Sequence, residues 1–494
     1  MMHTRRSALF FVLLLLTAPA QADLQRDFEA TVAAANLGKA RWSIQVTDLT
    51  TGQTLVSMDA DRAVIPASNM KLVTTAAALG TLGPDFVFRT ELRLLTSDTG
   101  DGGAIVLVKG DGDPGFADGK LLEAAGLDVE KLLAAWVDAL RKAGVKRLHR
   151  LVIDDRIFEP PAAHRSWPDN QLNAWYCAQV AGLNFHGNCL DLWPRPGGPG
   201  QPAVVRIIPA APFLSVRNTT RSGASGNFIV GRKAGGNDLS LSGGVKHAAN
   251  EAVNITIDDP PLFFARVLAH RLGAAGIPVA DIARADAQVD RLGQGQLVHA
   301  VQTTLPAVLY RCNKDSQNLF AEALCKRIGH AATKQPGSWD NGGKAIKAFV
   351  GDKVGDAARG LVVSDGSGMS RDNRVTAQLL VALLSAMARD AKLGPAYVQS
   401  LSVAGQDGTL HKRLEGLAGE VRGKTGYIAG VSTFSGYWIL PEDRPAQRPA
   451  HVVAFSLLFN DITGDGLLQR TKALQDKLVT LIDRDRAAAP ARAR

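Results

Sequence analysis

The sequence predicts a mixed α/β (α+β) protein in which an antiparallel sheet is flanked by helices and interrupted by a large insertion. Three observations lead there. Near the C-terminus, EVRGKTGYI, STFSGYWIL and HVVAFSLLF read as sequential strands with tight connections, which implies antiparallel pairing. Helical periodicity runs through PPLFFARVLAHRLGAAG, AVLYRCNKDSQNLFAEALCKRIG and VTAQLLVALLSAMARD. From about Pro160 to Asn250 the chain turns rich in Gly, Pro, Ser and Asn with short strands such as AVVRIIP and NFIVG, the mark of a β-rich inserted module.

The elements follow in chain order. Arg5 and Arg6 precede the apolar run ALFFVLLLL and then Ala20-Gln21-Ala22, a secretory leader with cleavage after Ala22. That apolar run is too short to span a bilayer, and no later window replaces it, so an exported periplasmic protein without an integral membrane anchor is expected. Residues 42–57 alternate around the turn DLTTGQT as a hairpin and lead to an apolar helix that starts near Pro66. VFRTELRLL and AIVLVKG are strands, an amphipathic helix runs from about Gly119 to Gly144, and RLVIDD is a further strand. A closing helix spans about Asp465 to Ile482, and the tail RDRAAAPARAR reads as a solvated, disordered end. GDGDPG matches G-x-G-x-x-G after a strand, but Pro114 removes an amide donor, and Asp111 and Asp113 would face a pyrophosphate; it is a structural turn.

Of the 494 residues 46% are hydrophobic and 21% charged, which fits a globular protein of two or three domains. The formal charge of +9 falls to +7 without Arg5 and Arg6, and suits an anionic surface or polymer. Lys and Arg are scattered without an aromatic-lined stripe, so a nucleic-acid partner is not expected. Cys177, Cys189, Cys312 and Cys325 have no C-x-x-C spacing; Cys177 with Cys189 is a plausible disulfide, and Cys312 and Cys325 equally suit buried thiols.

Three short motifs can supply acyl-transfer chemistry, which needs a nucleophile, a base and oxyanion donors. Ser68-Asn69-Met70-Lys71 is the one S-x-x-K of the chain, and on a helix the i and i+3 side chains share a face, so the Lys71 amine reaches the Ser68 hydroxyl. To act as a base Lys71 must be neutral part of the time, through burial or a neighbouring cation. Ser316-Gln317-Asn318 offers a hydroxyl that relays protons and an amide that holds a substrate carbonyl. The other S-x-N, Ser225-Gly226-Asn227, lies in a Gly, Ser and Thr loop without ordered flanks. Lys424-Thr425-Gly426 occurs once; Lys424 supplies the charge expected to depress Lys71 and attract a carboxylate, Thr425 a hydroxyl donor, Gly426 close approach, and Tyr427 a second oxyanion amide.

This ordered triplet resembles the penicillin-recognising serine acyltransferases. The long gap from Lys71 to Ser316, with the blocks PASNMKLVTTAAAL, GDGDP, LVIDD, NKDSQNLFAEAL, SDGSGMSRDNRV and GKTGYIAGVSTFSGY, is similar to the class C low-molecular-mass penicillin-binding proteins, peptidase family S13. The resemblance implies a β-lactamase-like transpeptidase domain of residues 23–85 and 260–485, interrupted by residues 86–259, a second domain with a nested third, and followed by a basic tail at 486–494. It implies D-Ala-D-Ala carboxypeptidase and endopeptidase activity on peptidoglycan stem peptides through a Ser68 acyl-enzyme, with Lys71 as base, no metal or cofactor, and covalent inhibition by β-lactams. It places Asp154, Phe158 and Arg371 near the subsite for the side chain upstream of D-Ala, with Asp155 an equal candidate for Asp154; a homo-oligomer is compatible with it. The residue after K-T-G is often Ser or Thr in this superfamily and is Tyr427 here, which removes one hydroxyl contact to a carboxylate. A β-lactamase is disfavoured because no deacylating E-x-x-x-N carboxylate stands between the first two motifs, and a non-catalytic scaffold because Ser68, Lys71, Ser316 and Lys424 are all intact.

Overall fold

Strand Val452–Asn460 is apolar at nearly every position because the sheet that holds it is covered on both faces. Val453, Phe455, Leu457 and Phe459 pack with Leu24, Phe28, Leu478 and Ile482 from the first and last helices, Ala20–Ala34 and Leu467–Ala488. The alternate residues Ala454 and Leu458 meet the opposite layer, where helices Met70–Leu82, Asn318–Thr333 and Ala377–Arg389 bring Val73, Leu324 and Leu384. The computed structural model describes residues 20–96, 100, 103–223, 226–440 and 451–488. Residues 1–19 of the expected leader, and Ser225 of the second S-x-N triplet, lie outside them.

This first sheet has six strands in the order Ser402–Val403, Val421–Ile428, Val431–Ile439, Val452–Asn460, Arg41–Asp48, Thr54–Met58, all antiparallel. The N-terminal hairpin thus adds to the C-terminal meander, with Arg41 opposite Asn460 and Asp48 opposite Val453. The last helix runs to Ala488, so the expected disordered tail is helical in its first residues. There Arg486 donates to Asp48 at 3.2 Å, while residues 489–494 lie outside the described set.

A second sheet has the order Val279–Arg284, Leu148–Asp154, Ala104–Lys109, Val87–Thr96, Gln296–Thr304, its first two pairs parallel and the others antiparallel. Helices Val129–Lys142 and Pro260–Ala274 cover it, with Trp136, Phe116, Phe185 and Phe264 in mutual ring contact at the centre. The expected return to the first unit at residue 260 is therefore corrected: residues 260–304 complete the second core and sheet. The reason is pairing, since Thr304 lies opposite Val87 and the Leu305 amide donates to the Phe86 carbonyl at 2.8 Å, so the chain returns where it left. Short strands including Cys189–Arg195, Val204–Ile208 and Val253–Thr256 form the further β-rich module.

Two expected helices are broken. The run from Gly119 to Gly144 divides into Gly119–Ala124 and Val129–Lys142, because Gly126 takes a φ of 70° and the Asp128 carboxylate caps the second helix by accepting from the Lys131 amide at 2.8 Å. The run from Leu305 onward divides into Leu305–Asn313 and Asn318–Thr333 around Ser316, whose φ is 57°. GDGDPG is a turn: Asp111 pairs with Arg327 at 3.2 Å, and Asp113 accepts from the Thr303 hydroxyl at 2.7 Å and the Gly115 amide at 2.8 Å. Cys177, Cys189, Cys312 and Cys325 are all buried free thiols, so the suggested Cys177–Cys189 disulfide is absent.

A buried ion pair ties the two units together. Asp118 of the insertion accepts from Arg311 Nε and Nη2, both at 2.9 Å, and caps its own helix through the Leu121 amide at 3.1 Å. Asp118→Ala strands a buried guanidinium and removes the cap; the expected loss is about 3 kcal/mol, the low end for a broken buried pair because Asp315 remains beside Arg311. Denaturant unfolding measures it.

Candidate active site

Ser68 sits in a single 3-10 turn, Ala67–Asn69, that feeds the helix Met70–Leu82. Ala67 before it has a φ of 45°, and its carbonyl lies against Gly368, where an added Cβ would come within 1.7 Å. The turn is also fixed to the sheet. Asn69 Nδ2 donates to the Lys424 carbonyl at 2.7 Å, Asn69 Oδ1 accepts from Ser435 Oγ at 2.7 Å, and Thr433 Oγ1 donates to the Pro66 carbonyl at 2.9 Å. Gly426 permits this approach, because a Cβ there would stand 2.2 Å from Thr433 Oγ1 and 2.8 Å from the Ser68 nitrogen.

Lys71 is fully buried, and its Nζ has three neighbours: Ser68 Oγ at 3.0 Å, Asn318 Oδ1 at 2.7 Å and the Ser367 carbonyl at 3.0 Å. The Asn318 amide is oriented by its own Nδ2, which donates to the Tyr176 carbonyl at 2.8 Å. A neutral amine has two N–H groups and one lone pair, and neither carbonyl oxygen can donate. Both N–H groups are therefore drawn to Asn318 and Ser367, and the lone pair faces the Ser68 hydroxyl. Burial pushes the Lys71 ammonium down to about 8, against the opposing pull of groups that include Glu322 and Asp365.

Lys424, equally buried, lies 2.9 Å from Ser316 Oγ and 2.7 Å from the Thr425 carbonyl. Its ammonium is held well below the usual lysine range, first by burial and then by the charge of Lys71. The expectation that Lys424 is what depresses Lys71 is corrected: desolvation by burial is the largest cause for both amines. Thr425 Oγ1 donates to Thr409 Oγ1 at 2.9 Å, and Tyr427 is 54% exposed beside them.

The structure thus gathers Ser68, Lys71, Ser316, Asn318, Lys424, Thr425, Gly426 and Tyr427 at one place. Arg371 stands at its rim, its Nη1 donating to the Ala429 carbonyl at 2.8 Å in the turn after the K-T-G strand. Asp154 and Phe158 are not brought there. Asp154 is on the second sheet, paired with Arg156 at 2.8 Å, where it lines a cavity of about 230 Å³ with Arg93 and Lys109. Phe158 is 6% exposed, bridged to Gly337 and packed over Gly112, and Asp155 is paired with Arg284. Both placements follow from packing: the end of the strand Leu148–Asp154 is neutralised locally by the next arginine, and Phe158 fills the first core. Sequence reasoning missed Asn69, Tyr176, Thr409, Glu322 and Ser367. Two of them act through main-chain carbonyls, which carry no residue signature, but Glu322 follows Asn318 by one helical turn and was open to inspection.

The model of the D-Ala-D-Ala carboxypeptidase 3 (S13) family matches residues 24–483. The D-alanyl-D-alanine carboxypeptidase of Actinomadura sp. (strain R39) is 32% identical, over 94% of this chain and 87% of the relative. DacB of Haemophilus influenzae, also a D-alanyl-D-alanine carboxypeptidase, is 25% identical over 83% of each chain. In structure, penicillin binding protein 4 (dacB) from Haemophilus influenzae matches with a TM-score of 0.71 at 22% identity, covering 93% of this chain and 99% of that one. Its complex with a β-lactam matches with a TM-score of 0.66 at 20% identity, over 91% and 99%. The fold is that of the penicillin-binding proteins. The chain belongs to the D-Ala-D-Ala carboxypeptidase 3 (S13) family, and with it to the serine-type D-Ala-D-Ala carboxypeptidases.

Gly426→Ala should cost about 1–3 kcal/mol in denaturant unfolding, because the strand and the Ser68 turn must part. Gly351→Ala, in a helix with open space around it, should be neutral or gain about 0.4–1 kcal/mol.

Proposed function

We propose that this carboxypeptidase is exported and removes the terminal D-Ala of peptidoglycan stem peptides through an acyl-enzyme on Ser68, and that β-lactams acylate the same hydroxyl. One observation carries the reading: the Lys71 nitrogen, buried and 3.0 Å from Ser68 Oγ, has its other two neighbours in acceptors that cannot donate.

Ser68 Oγ attacks the carbonyl carbon between the two D-alanines while its proton passes to the Lys71 lone pair. The developing oxyanion takes hydrogen bonds from amides of the Ser68 helix start and of Tyr427. The C–N bond breaks, the leaving D-Ala amine takes up a proton relayed through Ser316, and the peptidyl ester stays on Ser68. Water then adds to the ester, gives its proton back to the base, and releases the shortened peptide with Ser68 restored. Lys424 and Thr425 attract the terminal carboxylate, with Arg371 at the rim. Endopeptidase action is the same sequence with a cross-linking amine as leaving group. Export rests on the leader pattern before Ala22, and among the described residues no helix is long and apolar enough to cross a membrane.

Fluorescent penicillin should label the protein covalently, and Ser68→Ala should carry no label. Lys71→Met should slow labelling by about 10²–10⁴-fold, the usual worth of a positioned base. Because the base must be neutral, and Lys71 is held near 8, roughly a tenth is ready at pH 7. Acylation should therefore rise about tenfold per pH unit below 7 and level off above about 9. Digestion of muropeptides followed by mass spectrometry separates the activities: loss of terminal D-Ala marks the carboxypeptidase, and dimers turned to monomers mark the endopeptidase. Absence of any label on the wild type would overturn the acyl-enzyme.

A further inference from the structure

The loop that presents the Ser367 carbonyl to Lys71 is held by two buried carboxylates, one at each of the peptides that meet at Ser367. Glu322 lies on the same helix as Asn318, one turn later, and both face the site. Its Oε2 accepts from Trp339 Nε1 at 2.7 Å and from the Gly366 amide at 2.9 Å, and its Oε1 from the Ser367 amide at 2.8 Å. The Thr74 hydroxyl, one turn after Lys71, donates to the Gly366 carbonyl at 2.7 Å and fastens the same peptide from the other side. Asp365 completes the loop. It accepts from the Gly368 and Ser370 amides at 2.8 and 2.6 Å, from Asn373 Nδ2 at 2.7 Å and from Trp167 Nε1 at 3.1 Å.

We propose that Glu322 is a positioning residue for the Lys71 amine: it anchors the Gly366–Ser367 peptide, from which the loop presents the Ser367 carbonyl that aims the lone pair, and it places a negative charge near the amine. The inference rests on the reading of Ser68 as nucleophile and Lys71 as its base. The Trp339, Gly366 and Ser367 N–H groups donate to Glu322, and the Ser367 side chain is a further hydrogen-bond partner, so donors meet both oxygens of the ionised carboxylate, and the amide end of a Gln would set N–H against at least one of those N–H groups. Burial and the neighbouring Asp365 push Glu322 up to about 7, and the three donors oppose that rise.

The other groups facing this cluster leave the charge to Glu322 and Asp365. From the K-T-G strand comes Lys424, and from helix Leu305–Asn313 comes Cys312, a thiol pushed up to about 12 and therefore neutral. On the helix of Glu322 itself stand Cys325, also raised by burial, and Lys326, whose amine is taken by the Glu159 and Pro161 carbonyls at 2.9 and 3.0 Å. The inserted segment adds Cys177, pushed up to about 12, and His164, lowered by burial.

The test is the rate of acylation by fluorescent penicillin as a function of pH in wild type, Glu322→Gln and Glu322→Asp. Loss of a nearby negative charge lowers the pKa of an ammonium, so in Glu322→Gln the acidic limb, read between pH 7 and 9 where the wild-type Glu322 is ionised, should move down by about half a pH unit or more. Its plateau should fall at least tenfold as the Ser367 carbonyl swings away. Glu322→Asp keeps the charge and should return the limb to its wild-type position. If Glu322→Gln does not fold, Trp339→Phe, which deletes one donor and retains the carboxylate, should move the limb the same way by a smaller amount. An unmoved limb in the folded variant overturns the proposal, whether or not the rate falls, since a purely structural role lowers the rate at every pH alike. A wild type that takes no label overturns instead the acyl-enzyme reading on which the inference rests.

Discussion

The site is organised around one buried amine that, among the described residues, has no carboxylate in hydrogen-bond contact. Lys71 Nζ has two carbonyl-type acceptors and the Ser68 hydroxyl as its neighbours, and it is desolvated on all sides. An ion pair would have held it protonated, whereas neutral acceptors satisfy its N–H groups in either state and leave the protonation equilibrium near neutrality. The same low-dielectric setting makes a second amine nearby, Lys424, harder still to charge. A substrate carboxylate arriving at Lys424 would relieve that cost, so binding and charging are coupled in the proposed reaction.

The fold delivers the three neighbours from distant parts of the chain. Ser68 and Lys71 share a helix start that is pinned to the K-T-G strand by Asn69, Thr433 and the missing Cβ of Gly426. Asn318 opens a helix that follows Ser316, whose left-handed backbone turns the chain so that its hydroxyl meets Lys424 while the next helix points at Lys71. The insertion is part of the same machinery. It leaves at Phe86, returns at Leu305 immediately before the second motif, is locked there by Asp118 on Arg311, and supplies the Tyr176 carbonyl that orients Asn318.

Most of the architecture was legible because its signals are local. The C-terminal strands, the hairpin at residues 42–57 and the helix after Pro66 announce themselves by alternation, turn residues and apolar runs. What was not legible depended on pairing or on single backbone angles. Residues 279–304 carry too mixed a pattern to declare their sheet, and Ser316 breaks a helix that periodicity alone continues. In the site, the three motifs could be read from their side chains, while the carbonyls of Ser367 and Tyr176 could not. Asp154 and Phe158 stand apart from the three motifs, since a sequence block shows proximity along the chain, a charged strand end is neutralised by its neighbour Arg156, and Phe158 is buried in the core.

The state of the Lys71 amine is the point on which all of this turns. Lysine Cε resonances of the wild-type protein, with Lys71 assigned by its absence in Lys71→Met, can be followed by NMR from pH 6 to 11. The account predicts a midpoint near 8 for Lys71, well apart from the surface lysines near 10.4. A Lys71 that titrates with the surface lysines would contradict it.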